Sequence, residues 1–99
     1  MLNINRNIEE GKVYYLLEGR LDTATAPALE NDLKEILDNT TELILDMEKL
    51  EYISSAGLRV ILSAQKIMQK NGSMKVKNIN DTIREIFEVT GFTTILTIE

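Results

Sequence analysis

The feature that most narrows what this chain can fold into is a polar seam between an apolar run and an apolar helical stripe. Leu43-Ile44-Leu45-Asp46 is followed, a few residues on, by Tyr52-Ile53-Ser54-Ser55-Ala56-Gly57-Leu58-Arg59. Leu43 to Leu45 reads as a buried strand, and from Gly57 onward apolar residues recur at helical spacing. Ser54 and Ser55 therefore sit where a strand gives way to a helix. One hydroxyl at such a place caps the helix by accepting an orphan N–H of its first turn. Capping does not explain Gly57, which costs a helix about 1 kcal/mol relative to Ala. Nor does it explain Arg59, a cation near the positive end of the helix dipole. Both suit the close approach of an anion, such as a phosphate on a serine, or of an acidic partner.

On either side of this seam the same alternation of strand and helix continues. Leu2, Ile4 and Ile8 share one parity, as in a strand with one buried face, and Glu9-Glu10-Gly11 is a turn into a second strand, making a hairpin. Val13 to Leu17 is continuously apolar, the pattern of a central strand covered on both faces. It ends at Gly19-Arg20-Leu21-Asp22. Thr23 or Thr25 then caps a helix that carries Pro27 in its first turn and Ala26, Leu29, Leu33, Ile36 and Leu37 on one face. The second helix is expected from about Ala56 to Lys70, stopping before Asn71-Gly72. Leu58, Val60, Ile61, Leu62, Ala64, Ile67 and Met68 fill more than half its circumference, which wedges it between sheet and neighbouring helix and leaves Val60, Ala64 or Ile67 as candidates for an open face. Met74 and Val76 mark a fourth strand. Asn78 to Asp81 supplies a cap, Ile79, Ile83, Ile86 and Phe87 a third helical stripe, and Gly91-Phe92 a stop. Thr94 to Ile98 is a last short strand.

These elements fit one domain over residues 1–99, since a chain of this length with 43% hydrophobic residues supports a single core. The expected fold is α/β: a small open mixed sheet, with elements in the order β-β-α-β-α-β-α-β, covered by helices. In open α/β sheets the carboxyl ends of the strands converge on one edge. Here those ends are Gly19 to Asp22, Asp46 to Ser55 and Asn78 to Asn80, so Asp22, Asp46, Ser54 and Ser55 are expected to share a surface. For each aspartate the plainer role is to cap a turn through its own carboxylate.

The absence of Cys and His removes disulfide frameworks, zinc sites and imidazole or thiolate mechanisms. No metal, cofactor or catalytic role is expected. The serines have no G-x-S-x-G turn and no histidine base, which excludes acyl transfer of the usual kind. A net charge of −5 argues against nucleic acid, whose binding is dominated by Lys and Arg at phosphates. No apolar run approaches the roughly 20 residues of a membrane span, and the start of the chain lacks a signal peptide's apolar block. A cytoplasmic protein with a protein or small-molecule partner is expected, with no membrane insertion.

Gly19-Arg20-Leu21-Asp22, Leu43-Ile44-Leu45-Asp46 and Tyr52 through Leu62 together resemble the STAS domain of bacterial anti-sigma-factor antagonists, and the likeness extends over nearly the whole chain in element order and length. The resemblance implies a partner-switching function. The unmodified protein would bind an anti-sigma factor that is also a serine kinase and release a sigma factor, and a serine phosphatase would reverse the phosphorylation. The phosphorylated serine of the family lies two residues before the glycine, a position held here by Ser55, with Ser54 as the less favoured acceptor. The family usually has Asp before that serine and Ser or Thr after it, whereas this chain has Ser54 and Ala56. The resemblance also places Asp22, Asp46, Ser54, Ser55, Gly57 and Arg59 at the partner surface. Two other readings are a STAS scaffold acting without phosphorylation, in a regulatory or transport complex, and a small-molecule or phosphoryl-acceptor domain using Asp46.

Overall fold

Glu10 and Gly11, both in the left-handed region at φ 44° and 87°, close a tight turn whose twist suits a hairpin. They join β1 (Leu2–Glu9) to β2 (Lys12–Leu21), which pair antiparallel from Leu2↔Gly19 to Glu9↔Lys12. The computed structural model describes residues 1–99 and continues with α1 (Ala26–Ile36), a 3-10 turn (Leu37–Asn39), β3 (Glu42–Ile53), α2 (Ser55–Asn71), β4 (Ser73–Lys77), α3 (Asp81–Thr90) and a second 3-10 turn (Phe92–Thr94). The sheet order is β1-β2-β3-β4, with β2, β3 and β4 parallel. The expected mixed α/β sheet is thus present, antiparallel only at its first strand.

Residues paired across a ladder point to the same side of the sheet. One side carries Val13, Leu43 and Met74 in one row and Tyr15, Leu45 and Val76 in the next. All six join a single core with Leu29 and Leu33 of α1, Ile61 and Met68 of α2, and Ile83 and Phe87 of α3. The three helices therefore lie on one face. The opposite face carries Asn7, Tyr14, Ile44 and Lys75, then Asn5, Leu16, Asp46 and Lys77, and none of these belongs to the core. The shortest dimension of the molecule, 20 Å, fits one sheet and one helical layer. This corrects the expectation that Val13 to Leu17 is covered on both faces: Tyr14 and Leu16 are half-buried on a face that no helix crosses. The run looked continuous because Tyr14 and Leu16 cover Ile44 and Asp46, their ladder partners, rather than a second helical layer.

The ends of the elements follow local chemistry. Asn80 accepts the Ile83 N–H at 3.0 Å and caps α3. Gly91, at φ 81°, ends it, and Phe92 folds back to stack on Phe87 with ring centroids 6.1 Å apart. That contact disposes of the expected last strand over Thr94 to Ile98. Phe92 to Thr94 closes as a 3-10 turn with Ile95 and Leu96 N–H groups on the Phe92 carbonyl, and only one parallel bridge, Val76↔Ile98, remains.

Burial of α1 against the hairpin brings Tyr15 to Asp32, its hydroxyl donating at 2.5 Å, and Arg6 reaches Asp32 at 2.8 Å and Glu35 at 3.1 Å. Burial, and secondarily the bond to Asp32, push the Tyr15 hydroxyl well above the ordinary tyrosine range. A group whose folded value is raised lends stability that is complete below its unfolded value, about 10, and is lost as pH climbs through the folded value. Urea midpoints should therefore fall above pH 10, and in Tyr15→Phe that part of the fall should vanish while neutral-pH stability drops by about 1 kcal/mol. Equal alkaline slopes for the two proteins would contradict the buried bond.

Candidate functional site

The two serines at the seam between β3 and α2 differ in exposure and in hydrogen bonding. Ser54, with extended backbone at φ −91° and ψ 175°, is the N-cap of α2 and accepts the Gly57 N–H at 3.4 Å. Its own N–H donates to the Leu21 carbonyl at 2.9 Å, tying the turn to the end of β2. Ser55 is the first residue of the helix and is exposed. Its hydroxyl makes no hydrogen bond within the chain, whereas the Ser54 oxygen accepts the helix N–H.

Gly57 is buried, and the structure assigns it a reason different from the one its sequence position suggested. A Cβ there would lie 2.7 Å from Leu21 Cγ, 2.8 Å from the Leu21 carbonyl oxygen and 3.1 Å from Ile53 Cγ2. The glycine lets the first turn of α2 press onto the ends of β2 and β3. No partner can reach its backbone on that side. Arg59, one turn beyond Ser55, is exposed and lines a shallow recess between α1 and α2 with Thr23, Pro27, Glu30 and Ala56. Farther along the same two helices Val60 and Ala64 are buried against α1, and of the three side chains expected to remain open only Ile67 does, at 40% exposure.

β2 and β3 end side by side, with Leu21 paired to Ile53 and Arg20 to Tyr52. Asp22 therefore stands next to the Ser54 turn. Its Oδ1 accepts the N–H groups of Ala24 at 3.0 Å and Thr25 at 3.1 Å and the Thr25 hydroxyl at 3.2 Å. The Thr25 N–H foremost holds this carboxyl below the usual carboxylate range. Asp22 thus shapes the loop into α1, while Arg20 lies 3.8 Å from its other oxygen and 4.7 Å over the Tyr52 ring. Arg20 and Tyr52 belong to this surface and were not singled out from the sequence. The signal available was an aromatic residue on the outward parity beside the buried Ile53.

Asp46 is not part of the site. β3 runs on to Ile53, so Asp46 is in mid-strand, eight residues before Ser54 and roughly 25 Å away along an extended chain. It points to the open face and is 5% exposed. The Tyr14 hydroxyl donates to its Oδ2, Asn78 Nδ2 donates to the same oxygen at 3.1 Å, and the Glu48 N–H donates to Oδ1 at 3.0 Å. The bond to Asp46 in turn holds the Tyr14 hydroxyl above the ordinary tyrosine range. With both oxygens engaged, this carboxylate fastens β2, β3 and the end of β4 together, and no cluster of three or more Asp or Glu side chains gathers to hold a metal ion. Asp46→Ala is expected to cost about 2 kcal/mol, through loss of the hydrogen bonds that its carboxylate accepts, with the Ser55 turn unchanged. Urea unfolding beside an amide NMR spectrum checks both halves.

The STAS domain family model matches residues 3–99. BtrV of Bordetella bronchiseptica is 36% identical over 88 residues, spanning 87% of this chain and 76% of that protein. The anti-sigma-B factor antagonist of Bacillus subtilis is 27% identical over 100 residues, spanning 98% of this chain and 92% of its own. Among solved structures, an anti-sigma factor antagonist from Mycobacterium paratuberculosis superposes with a TM-score of 0.89 at 21% identity, over 99% of this chain and 85% of that one. The Bacillus cell fate determinant SpoIIAA in its phosphorylated form does so with a TM-score of 0.77 at 18% identity, over 98% and 91%. No helix here is long and apolar enough to cross a membrane. From the family match over residues 3–99 and a relative 36% identical over 87% of the chain, this chain belongs to the STAS domain family, among the bacterial anti-sigma-factor antagonists.

Proposed function

We propose that the protein is a cytoplasmic, non-catalytic switch. Its unmodified form docks through the Ser55 turn on an anti-sigma factor that is also a serine kinase, and so frees a sigma factor. The kinase transfers a phosphoryl group from its own nucleotide to Ser55 Oγ, which gives up its proton, and docking ends until a serine phosphatase removes the phosphate. The observation that carries this reading is the difference between the two serines: Ser54 lies half-buried at the N-cap and accepts the Gly57 N–H, and Ser55 presents an unbonded, exposed hydroxyl. The same geometry explains how Ser54 can stand where the family resemblance implies Asp. Either side chain accepts the N–H that opens the helix, and the acceptor serine keeps its place. Asp22, Arg20 and Tyr52 flank the turn and complete the docking face, with Arg59 on its far side. SpoIIAA, which shares the fold, has been solved in both phosphorylated and unphosphorylated forms. Mass spectrometry of the protein isolated from its own cells tests the proposal. Phosphate on Ser55 is expected. Protein that stays unmodified under every growth condition while still binding its partner would favour a scaffold without a switch, and an acyl phosphate on Asp46 would overturn both.

A further inference from the structure

The nearest cation to the Ser55 hydroxyl along its own helix is Arg59, four residues on. Residues four apart are neighbours on a helix surface, and helical side chains lean toward the N-terminus, so Arg59, which borders the recess beside Ala56 and Glu30, stands within a side chain's reach of Ser55. Arg6 is held by Asp32 at 2.8 Å and Arg20 lies 3.8 Å from Asp22, whereas Arg59 has no carboxylate within ion-pair distance and no hydrogen bond. Glu30, across the recess on α1, lies 3.9 Å from Lys34 instead. The charges around the turn are thus Arg20, paired with Asp22, Glu30, paired with Lys34, and a guanidinium with nothing to bind.

We propose that Arg59 binds the phosphate of phosphorylated Ser55 within the same chain. The proposal rests on the Ser55 switch for its biological setting. Two guanidinium N–H groups can donate to two phosphate oxygens in the fork geometry that arginine offers, and the pairing requires no backbone movement because both residues already share a helical face. The cation of the docking face is then occupied at the moment the dianion is added.

The test places phosphoserine at position 55 during translation, so it needs no kinase. Failure of the contact is thereby kept distinct from failure of the switch. In a 31P NMR titration, the midpoint for the second phosphate proton is expected about 0.3 pH lower in the phosphorylated wild type than in phosphorylated Arg59→Gln, a twofold change in proton affinity, with Arg59→Lys between them. The difference should shrink in 1 M salt, where the screening length falls to about 3 Å. As a measurement that needs no substitution, the Arg59 Nε–H resonance of the wild type should shift and exchange more slowly once Ser55 is phosphorylated. Equal midpoints in wild type and Arg59→Gln, or an Arg59 resonance unmoved by the phosphate, overturns the proposal.

Discussion

Gly57→Val is expected to destabilise the protein by about 3 kcal/mol, a fall in Tm of roughly 12–24 °C for a domain of this size. Even the first added carbon would meet Leu21 Cγ at 2.7 Å and the Leu21 carbonyl oxygen at 2.8 Å. A leucine tip can swing aside. The carbonyl cannot, because it accepts the Ser54 N–H that ties the turn to β2. Valine adds two more carbons against Ile53, whose Cγ2 is already 3.1 Å from the Cβ position. Alanine should cost about 2 kcal/mol, net of the roughly 1 kcal/mol that a helix gains when Gly becomes Ala. Any loss of docking in these variants comes through displacement of the Ser55 turn, not through a lost contact at residue 57. Thermal unfolding decides the matter: a Gly57→Val protein with wild-type Tm would mean that α2 does not press on the strand ends as described.

The second large effect is on docking rather than stability. Phosphorylation of Ser55 takes the net charge from −5 to roughly −7. Within the chain this is tolerated, since an anion at the start of α2 gains about 0.3–1 kcal/mol from the helix dipole. Far-UV circular dichroism should hardly change. At an interface built around a neutral hydroxyl, a dianion must be desolvated and accommodated, at a cost on the order of 2–4 kcal/mol, or roughly a 30- to 1000-fold loss of affinity. Ser55→Ala should bind the anti-sigma factor as the unmodified protein does and accept no phosphate. Ser55→Asp should bind weakly, short of the full loss because one carboxylate carries less charge than a phosphate. Ser54→Ala should lose about 1 kcal/mol of cap energy and still be phosphorylated. Titration calorimetry with these variants would expose an error in the assignment: equal affinity of phosphorylated and unmodified protein, or phosphate transfer to Ser55→Ala, leaves Ser55 as an ordinary first-turn residue.

Local pattern was enough to locate most of the elements because each is specified by residues close in sequence. The 3.6-residue stripes of α1, α2 and α3, the Glu10-Gly11 turn, the Asn80 cap and the Gly91 stop all act over a few positions, and the serines fell at the strand-to-helix seam for the same reason. The sequence by itself therefore determined the order of elements through α3, the family and the place of the two serines. Tertiary structure decided what depends on partners far along the chain. Whether Tyr14 and Leu16 face a helix or solvent depends on all three helices packing on one side. Ile98 keeps one bridge of its expected strand because Phe92 prefers the ring of Phe87. Asp46 looked like the end of a strand because the apolar run stops at Leu45. The strand in fact continues to Ile53, its core positions stepping from 43, 45 and 47 to 50 and 53 across two breaks in register with β2. Those breaks are invisible to a two-residue alternation, and they carry Asp46 away from the serines and into the grip of Tyr14 and Asn78. Gly57, read from sequence as an opening for a partner, is closed by Leu21, a residue 36 positions earlier that only the parallel pairing of β2 with β3 brings beside it.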